Sequence, residues 1–255
     1  AGFGRRLGGG AVMVRLCGMG RVLGGGRIGS EGPGNLQFCF PFGVAVLENG
    51  KLVVCDSSNH RLQMVTVEGS FIRTIGCRGS SNLQFRYPRG VAVLADGNLV
   101  VCDCDNHRLQ IVTAEGTFVR TFGSQGSGNL QFGSPRGVAV LENGNIVVCD
   151  CDNHRLQIVT ADGSFVRTIG IEGSGNLQFK TPRGVAVLRN GNLVVCDCEN
   201  HRLQIVTAEG SFVRTFGIEG SGNLQFKQPR GVAVLENGNI VVCDCDNHRL
   251  QIVTA

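Results

Sequence analysis

The sequence predicts an all-β protein built as a β-propeller, a ring of small four-stranded sheets, and two observations carry this prediction. The string Asn-His-Arg-Leu-Gln occurs five times at a constant spacing of 47 residues, as from His60 to His107. A fixed period of this size is typical of repeat architectures. Each period also contains four short apolar runs separated by turn signals, and four antiparallel strands make one propeller blade.

The unit at residues 128–174 shows this strand pattern clearly. Its apolar runs are Gly137–Leu141, Ile146–Cys151, Leu156–Thr160 and Phe165–Ile169. The first two runs are joined by Asn143-Gly144, which is a strong hairpin signal. Both faces of each run are apolar, as expected for a sheet that is covered on both sides by neighbouring blades. The next unit differs at only seven of 47 positions, so the blades should be nearly identical.

The array is expected to contain five units, and their extent predicts the domain organisation. The units span about 34–80, 81–127, 128–174, 175–221 and 222–255, and the last has three strand signals. Residues 1–30 form a degenerate N-terminal segment. Its stretch Arg21–Gly29 resembles a worn fourth strand and could close the ring by pairing with the last blade, which would hide both sheet edges. Alternatively, Ala11–Gly29 is the remnant of a sixth blade and the ring is incomplete.

Composition restricts the class of protein. Hydrophobic residues make up 42% of the chain and charged residues 17%, which fits a folded protein. No apolar run approaches the roughly 18 residues of a membrane span, and the N-terminal segment lacks an apolar signal core. We therefore expect a cytoplasmic monomer without a membrane partner. The chain starts without Met and stops at Ala255 inside a repeat, so we expect a fragment of a longer protein.

The twelve cysteines are interpreted as buried thiols. Eight of them form four Cys-Asp-Cys triplets, the first at Cys102 and Cys104. Residues two apart on a strand make a poor disulfide, and no Cys-x-x-Cys pair provides the usual zinc spacing. Cysteines of this kind behave as small apolar residues in a reducing compartment. The sequence therefore predicts no disulfide, no metal site and no cofactor.

Charge is divided unequally between the two faces of the predicted disc. The turns between first and second strands and between third and fourth strands share one face, here called the hairpin face. It carries eight acids and two bases, a net charge of −6. Because the whole chain has a net charge of +4, the rest of the chain carries +10. The acids are Glu48, Glu68, Asp96, Glu115, Glu142, Asp162, Glu209 and Glu236, and the bases are Lys51 and Arg189.

The opposite face, called the crossover face, receives the connections between blades and is predicted to be the binding face. The crossovers bring Arg78, Arg86, Lys180 and Lys227. The tripeptide Pro-Arg-Gly places one arginine at the start of the innermost strand in four of the five units, at Arg89, Arg136, Arg183 and Arg230, whereas the first unit has Phe42 there. We call these four the axial arginines, because a ring of such donors around the propeller axis would suit phosphate or carboxylate. The alternative is solvated charge, or pairing with Glu172 and Glu219 of neighbouring crossovers.

The repeated polar motif is predicted to be structural. An acid, a base and a cation occur together in it, but Asn and Asp commonly satisfy turn backbone groups and Asp–Arg pairs fix turns. Five identical copies, one in each blade, do not converge on one point as catalytic residues must. Metal binding by the histidines meets the same objection. The residues assigned to this role are Asp103, Asn106, His107, Arg108, Asp150, Asn153, His154 and Arg155.

Aromatic residues offer a second kind of binding candidate. Regular phenylalanines follow Asn-Leu-Gln in every unit, from Phe38 to Phe226, and such residues either stack on bases when exposed or pack between blades, the more frequent case. Phe42 and Tyr87 instead break the repeat beside the start of an innermost strand. We predict that these two residues belong to the contact surface.

The segments Pro-Arg-Gly-Val-Ala-Val, Gly-Asn-Ile-Val-Val-Cys-Asp and Asn-His-Arg-Leu-Gln together resemble the NHL repeat. The resemblance covers about residues 31–255. It implies a propeller, usually of six blades, whereas five units are visible here. NHL domains of the TRIM-NHL type bind single-stranded RNA or proteins, so these are the partner classes that the resemblance implies. The RING, B-box and coiled coil of such ubiquitin ligases are not found in the sequence.

We therefore predict a non-enzymatic scaffold that binds single-stranded RNA or protein through its basic crossover face. One alternative is a purely structural protein-interaction ring from a ubiquitin-ligase-type protein. Another is an enzyme similar to the amidating lyases, which also use a propeller of this kind. That group employs metal-binding histidines and a tyrosine near the axis, whereas the histidines here all lie in the repeated motif and Tyr87 is the single tyrosine.

Overall fold

Four antiparallel sheets of four strands and a fifth sheet of three strands follow one another along the chain as propeller blades. The structure is a computed structural model that describes residues 27–254. Within each sheet the strand order is the chain order, so every blade is a simple meander. The predicted all-β propeller of five NHL-type units is confirmed, and the last unit has three strands in the described residues, as its sequence indicates.

The bounds of the blade strands repeat with the sequence period. Blade 1 contains β3 (Pro41–Val46), β4 (Leu52–Asp56), β5 (Arg61–Val65) and β6 (Phe71–Ile75). Blade 2 contains β9 (Pro88–Val93), β10 (Leu99–Asp103), β11 (Arg108–Val112) and β12 (Phe118–Phe122). Blade 3 contains β15 (Pro135–Val140), β16 (Ile146–Asp150), β17 (Arg155–Val159) and β18 (Phe165–Ile169). Blade 4 contains β21 (Pro182–Val187), β22 (Leu193–Asp197), β23 (Arg202–Val206) and β24 (Phe212–Phe216), and blade 5 contains β27 (Pro229–Val234), β28 (Ile240–Asp244) and β29 (Arg249–Val253).

Short parallel strand pairs occupy the crossovers. They are β1 (Ser30–Glu31) with β2 (Gln37–Phe38), β7 (Cys77–Arg78) with β8 (Gln84–Phe85), β13 (Ser124–Gln125) with β14 (Gln131–Phe132), β19 (Ile171–Glu172) with β20 (Gln178–Phe179), and β25 (Ile218–Glu219) with β26 (Gln225–Phe226). One-turn 3-10 helices join the second and third strands of the blades at Ser57–Asn59, Cys104–Asn106, Cys151–Asn153, Cys198–Asn200 and Cys245–Asn247. In the described part of the chain, no helix is long and apolar enough to cross a membrane.

The core lies between blades rather than within one blade. Each of the four junctions from blade 1 to blade 5 has its own cluster of buried aliphatic side chains. The phenylalanines that end each crossover at Phe85, Phe132, Phe179 and Phe226 are completely buried in these clusters. Because they are inaccessible, they cannot stack on a nucleic acid, and packing is their role.

Glycine allows the innermost strands to meet closely at the axis. A Cβ on Gly90 would lie 2.1 Å from the carbonyl oxygen of Arg136, and one on Gly137 would lie 2.3 Å from that of Arg183. Side chains larger than hydrogen at these positions would therefore push neighbouring blades apart. The equivalent Gly231 of blade 5 meets only its own Cys243, at 3.1 Å.

Among the described residues, nothing packs on the side of blade 5 where a further blade would lie. Leu250 and Ile252 of β29 are 66% and 65% exposed, whereas the equivalent Leu203 and Ile205 of blade 4 are buried against blade 5. The closing strand predicted for Arg21–Gly29 lies mostly outside the described residues. Its described end, residues 27–29, forms no strand. Ile28 nevertheless lies beside Gly69 of blade 1, and the equivalent Ile75 of blade 1 lies beside Gly116 of blade 2 in the same way.

Candidate functional site

The crossover face contains both the crossovers and the 3-10 turns, because antiparallel strands return every second connection to the same end of the blade. Backbone hydrogen bonds join the two kinds of connection directly. The amide of Asp105 donates to the carbonyl of Arg86 at 3.1 Å, and that of Glu199 donates to the carbonyl of Lys180 at 3.1 Å. Residues of both connections therefore contribute to one continuous surface.

A buried carboxylate at the end of the second strand organises each crossover. Asp150 is fully buried, and its two oxygens accept from the Gly133 amide at 2.7 Å, the Asn153 amide group at 2.9 and 3.0 Å, Arg155 Nε at 2.8 Å and Gln157 Nε2 at 3.1 Å. Charge-assisted bonds of this length are among the stronger ones in proteins. The same pattern surrounds Asp103, which accepts from Arg86, Asn106, Arg108 and Gln110. These contacts hold the turn and the crossover together.

The motif histidines connect each blade to the next one. Each histidine that ends a 3-10 turn has a left-handed backbone, with φ of 54° at His154. Nδ1 of His154 accepts from the amide of Thr181 in blade 4 at 3.1 Å, which leaves Nε2 to carry the ring proton. His107 lies beside the carbonyl of Gly133 instead and must donate from Nδ1 there. Burial and then the charge of Arg78 lower the pKa of His60, which favours its neutral form.

The axial arginines converge where the innermost strands begin. Each side chain is partly exposed, yet its Nε is buried without a hydrogen-bond partner among the described residues. Burial and the charges of Arg136 and Arg230 lower the pKa of Arg183, which shows that these guanidinium groups lie within electrostatic range of one another. Of the four axial arginines, only Arg230 has an acidic side chain at ion-pair distance among the described residues. Its partner is Asp246, at 3.6 Å.

The alternative in which these arginines pair with the crossover acids is not found. Glu172 and Glu219 lie beside histidines, with 3.9 Å from His154 Nε2 to Glu172 and the same distance from His201 Nε2 to Glu219. Among the described residues, neither Glu172 nor Glu219 is therefore a counter-ion of an axial arginine.

In three of the four Cys-Asp-Cys triplets the second thiol, Cys104, Cys151 or Cys198, lies between two axial arginines. Cys104 responds to the charges of Arg89 and Arg136, and Cys151 to those of Arg136 and Arg183. Burial nevertheless dominates and raises the pKa of both thiols. They are neutral near pH 7 and add no negative charge to the axis.

The crossover face as a whole is less basic than the sequence predicts. The prediction counted the crossovers but not the 3-10 turns, whose acids Asp105, Asp152, Glu199 and Asp246 are exposed on this face. Together with Glu31, Glu172 and Glu219 they make seven acids, against eight bases formed by the axial arginines with Arg78, Arg86, Lys180 and Lys227. Positive charge is thus concentrated at the axis, and the surrounding surface is mixed.

Three exposed aromatic side chains, Phe40, Phe42 and Tyr87, lie near the starts of the innermost strands of blades 1 and 2, and we call them the aromatic patch. Phe40 is 79% exposed, and Tyr87 contacts His60 edge-on with ring centroids 4.5 Å apart. The Arg89 guanidinium lies 5.0 Å from the centre of the Phe42 ring. Phe40 and Tyr87 both have positive φ, a costly conformation for an aromatic residue. Sequence reasoning missed Phe40, although it occupies the same repeat position as Tyr87.

The remaining candidate bases are exposed on the crossovers. Arg86, Lys180 and Lys227 occupy equivalent positions, and each donates its backbone amide to the buried Asp of its own blade at 2.7 Å. Their backbones are fixed while their side chains extend into solvent. Gly133 fills this position in blade 3, so the outer ring of bases is interrupted there.

Thiol reactivity is expected to separate the cysteines by location. The eleven cysteines in the described residues are free thiols, of which Cys77 and Cys243 are exposed while Cys102, Cys149 and Cys196 are fully buried with raised pKa. Because the thiolate is the reactive species, a disulfide reagent at pH 8 should label Cys77 quickly in the native protein, and Cys243, whose pKa is raised by burial, more slowly. The buried thiols should react only after denaturation, and rapid native labelling of Cys149 would contradict the packing described here.

A metal site is not formed by the described residues, where no cluster of three or more His, Cys, Asp or Glu side chains has a suitable arrangement. Equivalent histidines are bound to backbone groups of successive blades, as His154 is to Thr181, which separates them around the ring.

Comparison with known proteins places these features in a family context. The NHL repeat profile matches residues 38–63, 85–112, 132–159, 179–206 and 226–253. Among curated proteins, Protein lin-41 of Caenorhabditis elegans is 41% identical over 44 residues, which are 17% of this chain and 4% of that protein. The chain therefore matches only a small part of the length of this relative.

Solved structures with the same fold include enzymes. Virginiamycin B lyase from Staphylococcus aureus superposes with a TM-score of 0.63 at 14% identity, covering 84% of this chain and 67% of that one. A gluconolactonase from Xanthomonas campestris superposes with a TM-score of 0.62 at 18% identity, covering 86% and 77%. At such identities the likeness shows the shared fold alone.

The prediction that the chain is not an enzyme is wrong in its reasoning, because a lyase and a lactonase have this fold. The prediction assumed that equivalent side chains of identical blades diverge. Side chains at the start of the innermost strands instead converge on the axis, as Arg136, Arg183 and Cys151 do. Repetition therefore gives no ground for excluding catalysis on such a scaffold.

Proposed function

We propose that this chain, which belongs to the NHL repeat family, is a propeller scaffold that binds single-stranded RNA on its crossover face. The observation that carries the proposal is the aromatic patch of Phe40, Phe42 and Tyr87 directly beside the first axial arginine. Exposed aromatic rings next to cationic groups are the combination with which proteins bind single strands.

Stacking on the patch supplies the first part of the binding energy. Base–aromatic stacking contributes roughly 1–3 kcal/mol for each base and tolerates different bases. Tyr87 is held in place, because its amide donates to His60 Nδ1 at 3.1 Å and its ring lies edge-on against the His60 ring. A rigid ring loses little conformational entropy on binding, which favours affinity.

Phosphate contacts supply the second part. From the patch, the exposed Arg86 and the axial arginines lead toward the centre of the ring, and Lys180 and Lys227 continue on blades 4 and 5. Arginine donors match phosphate oxygens in paired geometry, and such contacts release counter-ions. Binding should therefore weaken as salt concentration rises.

A protein partner is the second candidate, and the side of blade 5 that the described residues leave uncovered favours it. Leu250 and Ile252 form an exposed apolar surface of the kind that marks protein contacts. Pull-down of the chain from a cell extract with and without nuclease separates the two candidates, because a nuclease-resistant partner is bound as protein.

The RNA proposal is tested by fluorescence anisotropy with a short unstructured RNA. The double change Phe40→Gln with Tyr87→Gln should weaken binding about ten-fold or more, since two stacking surfaces are lost. Glutamine is suitable because Gln228 occupies the same repeat position with φ of 50°. Val166→Ala with Val213→Ala, exposed on the outer strands, is the matched control and should bind as the parent does. The proposal fails if the parent does not bind RNA or if both doubles bind alike.

A further inference from the structure

We infer that the axial arginines form a binding site for one phosphate monoester, which the partner presents end-on at the centre of the crossover face. This inference rests on the proposed function and specifies which part of the strand reaches the axis. The same chemistry is offered by a free phosphate ion and by the terminal phosphate of an RNA strand, and the experiments below distinguish these sources.

Uncompensated positive charge is the first argument. Arg89, Arg136 and Arg183 have no carboxylate at ion-pair distance among the described residues, and the Nε of each is buried without a partner. A partly exposed guanidinium group without a carboxylate at ion-pair distance attracts anions, so an anion should be gained readily at this place. The thiols between the arginines are neutral and do not fill that role.

The hydrogen-bonding arrangement is the second argument. The four axial arginines begin equivalent innermost strands of successive blades, and these strands pack closely against one another. Guanidinium donors from blades 2 to 5 are therefore brought to one place around the axis, whereas a strand bound along its length needs donors along a groove. An anion with three free oxygens uses such converging donors better than a phosphodiester, whose two esterified oxygens must leave the site.

Charge is the third argument. The four guanidinium groups carry four positive charges, of which one is paired with Asp246, so their net charge exceeds the single negative charge of a carboxylate. A phosphate monoester carries about −1.5 to −2 near pH 7 and offers three acceptor oxygens. The site therefore favours a terminal phosphate over the carboxylate end of a protein.

Blade 1 leaves an entry for the rest of the ligand. It has Phe42 where the other blades have the axial arginine, and Ser57 where they have the second thiol. The cationic arc is thus interrupted beside the aromatic patch, which is exposed. A strand whose terminal phosphate lies on the axis would place its first bases on this patch.

The first experiment measures inorganic phosphate binding by isothermal titration calorimetry. We expect one site for each chain, lost in Arg136→Gln with Arg183→Gln and weakened in Arg136→Lys with Arg183→Lys, which keeps the charge but loses the paired geometry. The control is Arg120→Gln with Arg214→Gln, which removes the same charge from exposed outer strands and should bind phosphate normally. Circular dichroism verifies that all variants are folded.

The second experiment compares one RNA sequence with a 5′-phosphate, a 3′-phosphate or hydroxyl groups at both ends. We expect one phosphorylated form to bind about ten-fold tighter than the unphosphorylated form, and the difference to vanish in the Arg136→Gln, Arg183→Gln variant. Equal affinities of all three forms would overturn the inference while leaving RNA binding on the patch intact. Phosphate binding at the arginines without any RNA binding would instead support the phosphate site and refute the proposed function.

Discussion

Replacing Asp150 by alanine is expected to destabilise the protein by about 3–5 kcal/mol, the cost of removing one partner from a buried charge pair. Its carboxylate is fully buried and accepts from Arg155 Nε at 2.8 Å, from Gln157, and from the Gly133 amide of the crossover. Without it, the Gly133 amide loses its acceptor and the Arg155 guanidinium loses its counter-ion. The crossover that seats Phe132 between blades 2 and 3 would lose one of its attachments to the turn.

Urea unfolding followed by circular dichroism measures this effect. The control is Glu142→Ala, on an exposed turn of the same blade, where the next blade has Arg189. A surface change of this kind should alter stability by less than about 0.5 kcal/mol. If Asp150→Ala were as stable as Glu142→Ala, the carboxylate could not be the centre of the polar cluster.

Replacing Gly137 by alanine is expected to destabilise the protein by about 3 kcal/mol, at the upper end of overpacking effects. The added Cβ would lie 2.3 Å from the carbonyl oxygen of Arg183, and a backbone atom cannot rotate away as a side chain can. The adjoining blade would have to move, and with it the axial arginines of blades 3 and 4.

The matched control is Gly231→Ala in blade 5. At this equivalent position the added Cβ meets only Cys243 Sγ at 3.1 Å, since no blade follows on that side in the described residues. We expect a clearly smaller loss of stability than at Gly137, measured by the same denaturant titration. Equal losses at the two glycines would show that the innermost strands of blade 5 are packed like the others, and that its side is closed.

Much of the fold follows from sequence because local signals and period agree. Asn143-Gly144 and the apolar runs around it give the strands of blade 3 to within two residues, and the same reasoning holds for every copy. Agreement between turn chemistry, apolar pattern and repeat length is what makes such a sequence readable.

Features that depend on tertiary contacts were not predictable. Leu130 has φ of 57°, a conformation that leucine avoids, and it is held there because its amide donates to Gln157 Oε1 at 3.0 Å in the same unit. Likewise His154 accepts from Thr181, a contact between blades that no local pattern indicates. The parallel strand pairs of the crossovers depend on these contacts and were missed for that reason.

The candidate site was predictable in part. Pro-Arg-Gly marks the start of the innermost strand in blades 2 to 5, so the positions of the axial arginines at these starts follow from sequence. The exposed acids of the 3-10 turns, such as Asp152, lie on the same face because the antiparallel strands return the chain to it. A count that includes only the charges of the crossovers omits these acids. Phe40 could have been found by aligning blade 1 with blade 2, where Tyr87 has the same place.

The measurement that tests the central claim most directly is the salt dependence of RNA binding in two quadruple variants. Arg89, Arg136, Arg183 and Arg230 are changed to alanine in one, and Glu68, Glu115, Asp162 and Glu209 of the hairpin face are changed to lysine in the other. We predict that the first loses most affinity and has a shallower dependence on salt, because fewer counter-ions are released, while it remains folded. The second should retain the affinity and salt dependence of the parent. Equal losses in both variants, or RNA binding that does not change with salt, would contradict the assignment of the binding site to the axis of the crossover face.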